Sequence, residues 1–159
     1  LDYKKILILI HPKSYVHSII KFNDGMIKIV AHDTTMKIPI FNSLYLNEMK
    51  SFKSNKLEIL KLNNLNFEKP NLKKFPLIKI LKKIQNQNSL FETVLVSAND
   101  ELVNLYLNKK IKYTDITKKL FQIINMAEYK KLKKIVPKKV FDVLKINQHV
   151  RLKTREISV

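Results

Sequence analysis

Two hydrophobic periods divide the chain. Residues 1–31 show the short spacing of strands. Lys4–Ile10 contains an unbroken apolar run, Ile6 to Ile10, the pattern of a strand buried on both faces. Tyr15–Phe22 alternates instead, with Val16, Ser18, Ile20 and Phe22 on one face. Asn23-Asp24-Gly25 supplies a hairpin turn, and Met26–Ala31 returns as the partner strand. The first strand reads as too buried for a sheet edge. Its neighbours are expected upstream of Leu1 or in another subunit.

Beyond Ala31 the pattern loosens and then lengthens. His32–Met36 is a polar loop, and Pro39 through Leu46 reads as a short helix or turn. Residues 47–71 hold no sustained period and many Asn, Lys and Ser, as a linker does, with short strands expected at Leu57–Leu62 and Leu65–Phe67. Pro76 sits where a helix tolerates proline, and Leu77, Ile80, Leu81 and Ile84 follow at helical spacing. Asn86-Gln87-Asn88-Ser89 ends that helix. A second is predicted over Val94–Asn108, with Leu95, Ala98, Leu102 and Leu105 inward. Thr114 or Asp115 is placed to cap a third, which carries Ile116, Leu120, Ile123 and Ile124. Lys130–Lys139, with Pro137, interrupts the pattern, and Asn147 is placed to cap a last helix toward Ile157. The fold class is therefore α+β: a buried strand and short hairpin, a linker, and an α-helical bundle.

Composition narrows the chemistry. The 159 residues suit one domain or a domain with an appendage, and bury about 70% of the surface the unfolded chain exposes. With no Cys, disulfide scaffolds, thiolate metal sites and Cys nucleophiles are excluded. Gly25 is the single glycine, so no Gly-rich phosphate loop can be written. No apolar run reaches the ~18–20 residues of a membrane span, so no membrane partner is expected.

The net charge of +18 comes from 29 Lys and only 2 Arg among 31 basic residues. A surface built to read phosphates or bases favours the bidentate fork of Arg. Lys, Ile, Leu and Asn together exceed half the chain, the signature of A/T-rich codons, so a solvated lysine surface is the primary reading. The lysine pairs lie mostly outside the apolar stripes, and no aromatic residues interleave them as a base-stacking platform requires. A stand-alone basic module binding nucleic acid or an acidic partner is the alternative.

The titratable residues alone select no reaction. His11 and His17 are six apart and lack the i, i+4 pairing of a zinc helix; His32 and His149 stand apart. Ser14 and Ser18 lie near histidines, but spacing does not reveal a triad. Asp24 belongs to a turn, and Asp100 and Glu101 lie on a helix, so no acid–base pair stands out.

Longer motifs are more specific. His11-Pro12-Lys13-Ser14-Tyr15-Val16-His17-Ser18, then Asp24-Gly25, then Met36-x-x-Pro39-Ile40 resemble the 1-deoxy-D-xylulose 5-phosphate reductoisomerase family, which runs I-H-P-Q-S-x-V-H-S, D-G, P-D-M-x-x-P-I. Leu65-x-Phe67-x-x-Pro70, Phe75-Pro76, Val94-Leu95-x-x-Ala98-Asn99-Asp100 and Ile111-Lys112-Tyr113-Thr114-Asp115-Ile116 match later family anchors without gaps. Val150-Arg151 resembles the last family helix more loosely.

The resemblance implies a C-terminal portion. Residues 1–45 would end an α/β catalytic and dimerisation domain, 46–71 would be the linker and 72–159 the C-terminal helical domain, with the N-terminal NADPH domain upstream. It implies NADPH and a divalent metal, Mg or Mn, held mainly by that upstream part, a sugar phosphate substrate and a homodimer. It places Ser14 beside substrate, His17 and His11 behind it, and Met36 near the nicotinamide, with no catalytic or metal-ligating residue in this chain. The composition fits a plastid protein of the apicoplast type. Thr34-Thr35 stand where the family has Pro-Asp, His32 where glycine is usual, Lys13 for Gln and Val96 for Asn. These departures keep a non-catalytic, degenerate fragment as a further alternative.

Overall fold

Gly25 decides where the hairpin folds back. Its φ of +91° is a conformation that glycine adopts freely. The Gly25 N–H donates to the Phe22 carbonyl at 3.2 Å, the Phe22 N–H to the Met26 carbonyl at 2.9 Å, and the Met26 N–H to Asp24 Oδ1 at 2.9 Å. This is a three-residue loop with a left-handed glycine at its last position. It joins β1 (Val16–Lys21) to β2 (Ile27–Ala31) in an antiparallel pair. The register runs from Lys21 opposite Ile27 to Ser18 opposite Val30, then slips between Val16 and Ser18.

The structure is a computed structural model describing residues 3–45, 52–54, 58–82, 84 and 88–159. The chain divides into two units, residues 7–70 and residues 71–159 together with the chain's first residues.

The unit of residues 7–70 contains the hairpin, α1 (Lys37–Leu44) and irregular chain. The expected buried strand Lys4–Ile10 is not formed. Tyr3–Lys5 is a 3-10 turn, Leu7 is 76% exposed, and Ile6 and Leu9 are also exposed. A strand buried on both faces needs a ladder on each side. Here only Ile10 pairs, exchanging two hydrogen bonds of 2.9 Å with Glu68. Of the two further strands expected, Ile59–Leu62 is a 3-10 turn and Leu65–Phe67 is irregular chain beside that bridge; Leu57 lies outside the described residues. The Lys61 N–H donates to the Glu58 carbonyl at 2.9 Å, and their side chains pair at 3.9 Å. That i, i+3 stacking suits the tighter helix.

The other unit is helical. Pro76–Lys82 forms a 3-10 helix where an α-helix was expected. Asn71 winds the chain before it, its side chain accepting from the Lys73 and Lys74 N–H groups. Ile80 is buried, and Leu77, Leu81 and Ile84 are half-buried, so the expected stripe does face the core. α2 spans Leu90–Leu107 and starts before the expected Val94. Ser89 caps it, accepting from the Phe91 N–H at 3.3 Å and donating to the Glu92 carboxylate. Ser-x-x-Glu is the sequence signature of such a start. α3 (Tyr113–Ile124) buries Ile116, Leu120, Ile123 and Ile124, as expected. Its cap is Lys112 rather than Thr114 or Asp115. Asp115 reaches back one turn to accept the Lys112 N–H at 3.0 Å. α4 (Ala127–Lys130) and a 3-10 turn at Lys131–Lys134 precede α5 (Val140–Glu156). The core comprises Phe91, Val94, Ala98 and Leu102 of α2, with residues of α3, Tyr129 of α4 and Val150 of α5.

Asn147 lies inside α5, not at its start, because a polar seam holds it there. The Asn147 side-chain amide donates to Ser97 Oγ at 2.8 Å and its oxygen accepts from Arg151 Nε at 3.2 Å. One turn further along α2, the Glu101 carboxylate is fully buried. It accepts from Arg155 Nε at 2.5 Å and Nη2 at 3.2 Å, and from Arg151 Nη1 at 3.5 Å. Arg151 also donates to Asp100 at 3.1 Å. Pairing 97 with 147 and 101 with 151 and 155 makes α2 and α5 parallel. Lys119 of α3 then closes the far end of α5, donating to the Ile157 carbonyl at 3.1 Å.

The bond from Arg155 holds the Glu101 carboxyl below its ordinary value, against the opposing effect of burial, with the Arg155 charge and Arg151 adding to it. The unfolded chain therefore takes up this proton first as pH falls. The stabilisation is full above the ordinary carboxylate value and is lost as pH drops through the folded one. Glu101→Gln is expected to cost about 2–3 kcal/mol at neutral pH, below the range for a fully buried pair because both arginines reach solvent. Urea unfolding from pH 7 to pH 3 checks this: the variant should lose less stability on acidification than the parent chain.

Candidate functional site

The resembling motif begins as a turn built around one imidazole. His11 Nδ1 accepts the Tyr15 N–H at 3.1 Å and the Val16 N–H at 3.4 Å. The Ser14 N–H donates to the His11 carbonyl at 2.9 Å. This closure puts Ser14 at φ +56°, a left-handed conformation that strains a residue with a Cβ. The His11 ring is held in place by Phe67 at 5.5 Å and Tyr15 at 6.4 Å between ring centres. His11 is thus the framework of the turn, and Ser14 is its exposed tip.

His17 stands at the slip in the hairpin register, where two residues of one strand face one of the other. Such a bulge re-aims a side chain. The exposed His17 ring lies 5.2 Å from that of His32, tilted by 47°. His32 follows β2, and its N–H donates to the Tyr15 carbonyl at 3.0 Å. Its Nδ1 bonds the Asp33 carbonyl, while its Nε2 is buried without a partner. Asp33 Oδ1 accepts the Thr34 N–H at 2.8 Å, a bond the family's proline could not make. Met36 ends this loop as the residue before α1, 54% exposed.

These residues form two groups: His11 with Ser14, and His17 with His32. Among the described residues no hydrogen bond or ring contact joins Ser14 or Met36 to the histidine pair, and no three His, Cys, Asp or Glu side chains converge to hold a metal. From sequence, His32 is a lone histidine in a polar loop and a departure from the family motif. The register alone sets His32 across from Tyr15; the slip at His17 is what brings the two rings within 5.2 Å. In the helical unit an apolar cleft of about 300 Å³ lies among Leu77, Ile80, Leu81, Leu95 and Val96, with Asn99 its one polar lining residue. It offers no reactive group.

Residues 33–153 match the family described as DXP reductoisomerase C-terminal domain. The 1-deoxy-D-xylulose 5-phosphate reductoisomerase of Pelagibacter ubique is 50% identical over 159 residues, all of this chain and 41% of that protein. The Sulfurihydrogenibium protein of the same name is 37% identical over 132 residues, 83% of this chain and 35% of its own length. The reductoisomerase from Zymomonas mobilis, solved in complex with NADPH, superposes with a TM-score of 0.76 at 25% identity, covering 98% of this chain and 40% of its own. A DOX-P reductoisomerase solved with NADPH, fosmidomycin and magnesium also gives 0.76 at 25% identity, covering 94% of this chain and 37% of its own. The chain therefore spans about two fifths of the length of the relatives it matches.

Replacing the ring acceptor tests the turn. In His11→Ala the Tyr15 and Val16 amides are left without their partner, at about 1 kcal/mol per bond. Hydrogen exchange at these two amides should speed up about fivefold or more, while the Gly25 amide in the hairpin loop stays unchanged.

Proposed function

The chain belongs to the DXP reductoisomerase C-terminal domain family, and from that premise we propose that it works as the C-terminal part of a reductoisomerase. The enzyme converts 1-deoxy-D-xylulose 5-phosphate to 2-C-methyl-D-erythritol 4-phosphate, in the non-mevalonate route to isoprenoids. The observation that carries this reading is identity with a reductoisomerase at half of all positions along the whole chain. Relatives solved with NADPH and magnesium support NADPH and a divalent metal as the cofactors; manganese in place of magnesium is part of the proposal.

The residues of this chain do not themselves fit either group. The described residues form no cluster of three metal-ligating side chains, and the one glycine is spent in the hairpin loop. The chain's own contribution is to the substrate. Ser14, exposed on a turn held by His11, presents a hydroxyl to the sugar phosphate. His17 and His11 stand behind it, and Met36, a soft apolar side chain, packs toward the nicotinamide. Pairing as a homodimer and a plastid address complete the proposal; composition is what supports the address.

Ser14→Ala tests it in the polypeptide carrying the whole reading frame. Loss of one hydrogen bond to a charged substrate is worth about 1.5–3 kcal/mol, so kcat/KM should fall about tenfold or more with folding intact. An unchanged kcat/KM removes Ser14 from the site, and an inactive parent enzyme overturns the reading as a whole.

A further inference from the structure

The histidine pair goes beyond this reaction. We propose that His17 and His32 form a two-histidine site for a borderline divalent transition-metal ion of the zinc class, with solvent completing the coordination.

The tautomer of His32 is the first argument. A carbonyl oxygen only accepts, so in the neutral ring the bond from Nδ1 to the Asp33 carbonyl puts the proton on Nδ1 and the lone pair on Nε2. Donating the other ring N–H to a backbone carbonyl is how metal-ligating histidines are usually oriented.

The second is that this lone pair is buried and no protein donor meets it. A buried acceptor is ordinarily met by a donor or an ion, and this one is met by no protein donor. The third is distance. Two imidazoles sharing one tetrahedral ion, each nitrogen about 2.0–2.1 Å from it, place their ring centres about 5 Å apart. The His17 and His32 rings are 5.2 Å apart.

The hairpin supplies the rest. The bulge that carries His17 turns a residue of β1 toward the end of β2. The His17 ring is exposed and engaged in no protein hydrogen bond among the described residues, which leaves an entry path. Imidazole nitrogens without carboxylates select zinc, copper or nickel over magnesium and calcium. A bound ion would tie β1 to the loop that ends at Met36.

Zinc titrated into the chain by calorimetry is the test, with NMR of the four histidine rings as its second arm. One saturable zinc ion per chain is expected, with the His17 and His32 ring signals perturbed together and those of His11 and His149 unmoved. His32→Gly and His17→Gln should each weaken binding about tenfold or more. His17 is exposed, so its variant keeps the test valid if His32→Gly fails to fold. Magnesium should not compete at millimolar concentration. Absence of saturable zinc binding, equal binding by His17→Gln, or perturbation centred on His11 or His149 would overturn the proposal.

Discussion

One buried carboxylate organises the helical unit. Glu101 lies on the apolar side of α2 with no exposed surface and draws in both arginines of the chain. A charge in that position is tolerable only when its lone pairs are filled. Arg155 and Arg151 fill them from α5, Asn147 and Ser97 extend the seam by one turn, and Val150 packs alongside. The position of α5 along α2 follows from this pairing. A slide of one turn that set Glu101 opposite Asn147 would strip it of Arg155, its closest partner. Apolar packing alone is far less selective about such a slide.

The two units are stabilised in different ways. In the helical unit residues distant in sequence converge on a common core. In residues 7–70 the organising bonds are local: the glycine turn, the His11 turn and one bridge from Ile10 to Glu68. Ile20, Met26, Ile27 and Ile29 of the hairpin remain exposed. A two-stranded hairpin is marginal on its own in water. Its definition here comes from turn chemistry, which the motif His11-Pro12-Lys13-Ser14 encodes directly.

Legibility followed the range of the interaction. The hairpin was readable because Asp24-Gly25 acts within four residues, and α3 because Ile116, Leu120, Ile123 and Ile124 repeat at helical spacing. The start of α2 was readable but missed, since Ser89-x-x-Glu92 is a local signal. Asn147 resembled a cap because amide side chains favour helix starts; its true partner, Ser97, is 50 residues away. Glu101 was passed over for the same reason, because nothing near it in sequence announces two arginines at the far end. Lys4–Ile10 failed differently: its apolar pattern describes a strand with neighbours, and among the described residues only Glu68 pairs with it as a strand would. For the candidate site, the family motif led to His11 and Ser14, while the contact of His17 with His32 depends on a slip in the hairpin register that no local pattern announces.

The parallel arrangement of α2 and α5 has a consequence for the order of assembly. Parallel neighbours cannot be joined by a tight loop, so residues 108–139, with α3 and α4, must run back along the unit before α5 can dock. The short connection from α2 to α3 makes their contacts local in sequence, whereas the partners of Glu101 lie 50 and 54 residues away. A buried carboxylate on this apolar face disfavours packing against any helix lacking two correctly spaced cations. The burial of Glu101 thus makes the α2 face selective for a helix that carries two cations one turn apart.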